Sequence, residues 1–141
     1  MRHPSARRRD ERGSTLVEFA LVFPVVLLLL FGIIQYAYLY WSLETAAATA
    51  REAARRMSVG TDWTCTKAEA QSRAATASVG QGGPQVVADF PQGKDIGDRV
   101  VVTVTLQTLD VGLFPLPDDG VVVETARARI ENVPYVALTC D

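Results

Sequence analysis

The chain has 141 residues, with 14 basic and 16 acidic side chains and a formal net charge of −2. That length gives one domain as the prior. The charge speaks against a nucleic-acid partner, because the one dense basic run sits beside an apolar segment.

Residues 1–13, MRHPSARRRDERG, have no apolar periodicity and are expected to be disordered or surface-bound. Five of the 14 basic and two of the 16 acidic residues lie here, so removal of this leader leaves 9 against 14, a formal charge of −5. Arg7, Arg8, Arg9 and Arg12 stand directly before the apolar stretch. By the positive-inside rule they hold the N-terminus in the cytoplasm and send the C-terminus out. Arg51, Arg55 and Arg56 oppose this, partly offset by Glu44 and Glu52.

Residues 14–41 read as a transmembrane helix, with 19–41 almost unbroken hydrocarbon. About 20 apolar residues rising 1.5 Å each span the roughly 30 Å core of a bilayer. Inside lipid the backbone must satisfy its own hydrogen bonds, which makes a single span a helix. A secretory signal has a shorter apolar region. The run Ala46-Ala47-Ala48 nevertheless resembles a cleavage site, so a removed signal stays open. Tyr36, Tyr38, Tyr40 and Trp41 fall where an interfacial belt belongs. Pro24 predicts a slack turn. Gln35, the one polar residue deep in the run, is expected to face a partner helix rather than lipid.

Residues 42–59 continue the helix as an Ala-rich extension. Leu43, Ala46, Ala47, Ala50, Ala54 and Met57 share one face, Glu52 pairs with Arg56 one turn on, and Gly60 is the stop. One helix from about residue 15 to 58 is predicted, with a small-residue face open to close approach.

Residues 60–141 read as an exterior α+β domain. Thr66 and Glu69 fit a capping box for a short helix ending near Val79. Residues 85–90 are a short strand candidate. Residues 99–109, RVVVTVTLQTL, alternate, with Val100, Val102, Val104 and Leu106 on one face. Residues 110–120 form a loop with exposed-looking Leu113 and Phe114. Residues 121–131 alternate again, with Val122, Ala126, Ala128 and Ile130 together, and 135–140 add a candidate edge strand. The fold class is therefore α+β: a long helix continuing into a three- to four-stranded antiparallel sheet, which the Ala-rich helix covers. Cys65 and Cys140 bracket this domain and read as a disulfide on an oxidising side. Closing that loop would stabilise by roughly 4 kcal/mol on the chain-entropy model. Two unrelated buried thiols are the plainer reading.

Glu18, an ionisable group at the start of the span, is a functional candidate by position. It also suits a helix N-terminus or a snorkelling contact with headgroups. Catalysis has little support: the exterior region holds no histidine, and Asp118-Asp119-Gly120 is explained by turn chemistry. No base accompanies the serines and threonines, and no metal cluster, cofactor motif or phosphate loop is present. Neither a cofactor nor a small-molecule substrate is expected.

Gly13 followed by Ser14-Thr15-Leu16-Val17-Glu18 resembles the processing site of type IV pilin-like proteins. The longer stretch RGSTLVEFALVFPVVLLLLFGIIQYAYLY, followed by TAAATAAREAAR, resembles the TadE-like minor pilins (pseudopilins) of tight-adherence, or Tad/Flp, pilus systems. The resemblance implies a pilin-like fold and cutting between Gly13 and Ser14 by a dedicated aspartic prepilin peptidase. It implies insertion in the bacterial cell membrane with the N-terminus cytoplasmic. It also implies assembly with other pilin-like subunits and the pilus machinery, in the service of adhesion, through Glu18 meeting a neighbour's N-terminal amine. The alternative is an uncleaved single-span envelope protein with an exterior binding or adhesin domain.

Overall fold

The computed structural model describes residues 11–79 and 83–132. Its first element, α1, runs over Glu11–Ser58. Over 48 residues at 1.5 Å each it is about 72 Å long. It starts earlier than the sequence suggests: Glu11 to Gly13, read as irregular leader, are helical. It passes through Pro24 without a break in the helical assignment. The Ala-rich half combines high helix propensity with a face that packs on the sheet. Gly60 ends it at φ +87°, a left-handed conformation that costs glycine little. There Gly60 N donates to Met57 O, and Thr61 N donates to Arg56 O at 3.1 Å.

The second helix, α2, covers Trp63–Ala75. Its cap is Asp62, whose carboxylate accepts from Thr64 N and Cys65 N. This corrects the capping box. Thr66 is already inside the helix, its hydroxyl donating back to Asp62 O at 2.9 Å. Glu69 is drawn to arginines instead of the backbone. Asp62 wins because a carboxylate one residue ahead of the helix satisfies two orphan N–H groups near the positive end of the dipole.

Three strands follow as an antiparallel meander: β1 at Gln85–Asp89, β2 at Arg99–Gln107 and β3 at Val121–Arg129. The register pairs Val87 with Thr103, and Thr103 with Thr125. The predicted alternation holds: Val86, Val100, Val102, Val104, Leu106 and Val122 are all buried on one face. Three strands are seen among the described residues, and the candidate strand at 135–140 lies outside them. A short 3-10 turn, Pro117–Gly120, leads into β3. Its Asp118 and Asp119 adopt φ near +50°, which aspartate tolerates better than most side chains.

The core forms where this sheet meets the outer half of α1. Ala46, Ala50, Ala53, Ala54 and Met57 of α1, with Ala70 and Ala74 of α2, pack on the valines of the sheet. Small side chains on the helix and branched ones on the strands let the two layers approach closely, at interior density. The small-residue face read from sequence is thus filled by the chain's own sheet and second helix. Two polar ties pin the layers. Ser42 Oγ, fully buried, donates to Ala77 O at 3.0 Å and lies 3.0 Å from Thr108 Oγ1. Glu131 N donates to Ser58 O at 2.8 Å, bringing the exit of β3 to the end of α1.

Candidate functional site

The candidate processing and assembly residues occupy the first two turns of α1. Gly13 and Ser14 lie in the first turn, and Glu18 lies four positions beyond Ser14, on the same helix face.

Gly13 has no structural reason to be glycine. A Cβ built there meets nothing within 4 Å, and the residue is absent from those with positive φ. Every other described glycine either takes a positive φ or, like Gly32, lies against a neighbour. In a helix, alanine is favoured over glycine by about 1 kcal/mol. A Cβ at this position would be accommodated without displacing any neighbour.

Glu18 is exposed on α1, next to the stacked pair Phe19 and Phe23, whose rings lie 5.3 Å apart. From Leu16 to Ile34, just before Gln35, the large apolar side chains are exposed almost throughout. Such a surface is unfavourable in water and natural in lipid. Thr15–Ser58 is the one candidate span among the described residues, by length and composition.

The sequence missed what happens at the outer end of this stretch. Gln35 is fully buried against a loop of its own chain. Its Nε2 donates to Phe114 O at 3.1 Å and to Asp110 Oδ1 at 3.4 Å. Tyr36 Oη donates to Pro115 O at 3.2 Å. A Cβ on Gly32 would come within 3.2 Å of the Phe114 ring. The β2–β3 loop thus folds down along α1, and Phe114, expected to be exposed, is half-buried. The one signal for this was an apolar pair, Leu113-Phe114, inside an otherwise polar, Pro- and Gly-rich loop.

A second feature is electrostatic. Arg56 Nε donates to Glu52 Oε1 at 2.9 Å, the predicted pair. The same guanidinium reaches across to both carboxylate oxygens of Glu69 on α2, and Glu69 also accepts from Arg73 at 2.7 Å. The hydrogen bond from Arg56 holds the Glu52 carboxyl below its ordinary range. These groups clamp α2 to α1 at a partly exposed surface.

Of the cysteines, Cys65 sits half-buried in the first turn of α2, and Cys140 lies outside the described residues. Among the described residues no three of His, Cys, Asp and Glu gather as metal ligands.

A family model described as "TadE-like protein" matches residues 13–55. It begins at the glycine and ends in the Ala-rich half of α1. No curated protein and no solved structure matches the chain. With the exposed apolar stretch inside the matched segment, α1 is a membrane anchor.

Proposed function

We propose that this chain, TadE-like over residues 13–55 and on that footing Tad pilus-associated, is a minor pilin or pseudopilin that takes part in assembling a Tad/Flp-type pilus. A prepilin peptidase cuts between Gly13 and Ser14. The basic leader keeps that end cytoplasmic, and the α+β domain stands outside. The new amine on Ser14 meets Glu18 of a neighbouring pilin-like subunit. Opposite charges attract far more strongly in low dielectric than in water. Pairing therefore favours the assembled state. Outside, a Cys65–Cys140 disulfide closes the small domain.

The observation that carries this reading is Gly13: a glycine that the helix does not need, at the first residue of the family-matched stretch, with Glu18 about a turn and a half beyond it. The test is the N-terminus of the protein recovered from its native membrane, read by sequencing and intact mass. A start at Ser14 supports the proposal. A start at Met1 or Arg2 favours the uncleaved envelope protein with an exterior binding domain. A start beyond about residue 45 favours a removed signal.

A further inference from the structure

The depth at which the β2–β3 loop meets α1 has a consequence for the bilayer. Lipid-facing exposure runs from Leu16 to Ile34. At 1.5 Å per residue this is about 28 Å, close to the roughly 30 Å hydrocarbon core. Burial by the domain begins at the next residue, Gln35, which is 0% exposed. The hydrocarbon boundary on the domain side therefore falls near Gln35 and Tyr36. The rings of Tyr36, Tyr40 and Trp41 stand exposed at and just beyond it, where interfacial aromatics belong.

The loop reaches this same level and passes one turn below it, because the Phe114 ring lies against Gly32. Several of its polar groups already have partners in the loop or on α1. The Asp110 carboxylate accepts from Gly112 N at 2.7 Å and from Gln35 Nε2. The carbonyls of Phe114 and Pro115 accept from Gln35 and Tyr36. Two of its apolar side chains stand outward beside the exposed apolar stretch of α1: Val111 is 43% and Leu113 51% exposed. That arrangement suits a loop in the headgroup region, where backbone groups need internal partners and apolar tips find acyl chains.

We infer that the β2–β3 loop is a second membrane-contacting element, with Val111 and Leu113 seated in the leaflet on the domain's side. Its ligand is the lipid surface, and its effect is to fix the register of α1. By composition alone the span can slide toward Trp41. With the loop seated, counting back from Gln35 puts Leu16 at the far hydrocarbon edge and Glu18 about 3 Å inside it. The inference requires that α1 cross a bilayer. It does not require cleavage at Gly13 or a pilus.

The test uses the full chain carrying benzoylphenylalanine in place of Leu113, reconstituted in phosphatidylcholine–phosphatidylglycerol vesicles and irradiated. The same probe at Val123, 56% exposed on the outer face of β3, is the comparison. Both positions are exposed, so neither probe should disturb folding, which circular dichroism checks. A phospholipid mass adduct on the Leu113 variant, several-fold above that at Val123, is expected. Absence of an adduct at 113, equal adducts at both positions, or a covalent dimer through 113 would overturn the inference. The dimer would assign the loop to a second copy of the chain.

Discussion

Gln35 Nε2 donates to the Phe114 carbonyl oxygen at 3.1 Å, across 79 positions of sequence. One hydrogen bond thus joins the membrane helix to the far loop of the sheet. Gln35 Oε1 is buried with no partner in the described structure. The side chain is therefore held by its donor end, and its value to the fold is the satisfaction of loop groups that would otherwise be stranded. Substitution Gln35→Leu leaves the Phe114 carbonyl without that donor. A buried acceptor left unpaired costs about 1–3 kcal/mol. The loss should be local: faster amide exchange over residues 109–116, with exchange in β2 unchanged. Unaltered exchange in the loop would show that the bond contributes nothing.

Gly32 makes the same contact steric. An alanine Cβ there comes within 3.2 Å of the Phe114 ring, tighter than ordinary packing, so Gly32→Ala requires a small ring displacement. Gly32→Leu has no room at all while Phe114 stays in place. We expect Gly32→Leu to expel the loop and raise its exchange to that of an open segment, while Gly32→Ala has a mild effect. Both changes improve helix propensity, so any destabilisation reports on the Phe114 contact.

The clamp between α1 and α2 should show in pH dependence. Glu52 has a lowered folded pKa, chiefly through its hydrogen bond from Arg56, against an ordinary value of 4.5. Its contribution is therefore complete above the unfolded value and declines as pH falls through the lowered folded one. Melting temperature should drop on acidification below about 4.5, and part of that drop should vanish in Arg56→Ala. The pair is partly exposed, so the effect is small and weakens in high salt. Thermal melts between pH 7 and pH 3, at low and high salt, measure it.

The long helix, its stop at Gly60 and the strand alternation were legible in the sequence because each rests on local chemistry. Propensity, left-handed glycine and period-two burial need no knowledge of distant residues. The loop seat was not legible, because Gln35 reads alike whether it meets a neighbour's helix or its own loop 75 positions away. The cap of α2 was misread for a related reason. Asp62 and Thr66 both fit an N-cap, and the choice depended on where Gly60 released the chain. Among the candidate site residues, Gly13, Ser14 and Glu18 were legible as a motif and occupy one short helix segment. The roles proposed for them depend on a protease and a neighbour, which no single chain contains. The cap yields a prediction of its own: Asp62→Ala should destabilise the domain by about 1 kcal/mol, read as a shift in denaturant midpoint at unchanged slope.

The remaining prediction concerns Gly13 and Glu18 together. Because nothing lies within 4 Å of a Cβ at Gly13, Gly13→Ala should leave α1 and the α+β domain intact. Any failure of processing in that variant then reflects the peptidase rather than misfolding. The expected product is heavier than the mature form by the 13 residues of its leader and fails to enter pili. Glu18→Ala should behave oppositely at the first step and alike at the second. Alanine is apolar and helix-favouring, so insertion and cleavage proceed. The mature subunit then lacks the carboxylate that meets a neighbour's Ser14 amine, and pilus formation falls. Glu18→Gln separates charge from hydrogen bonding, since it keeps an acceptor oxygen without the charge. If pairing is electrostatic, Glu18→Gln should lose assembly about as fully as Glu18→Ala. Membrane fractionation, intact mass and counts of surface pili in the three variants decide it. Normal piliation with Glu18→Ala would remove the amine-pairing role while leaving the cleavage proposal standing.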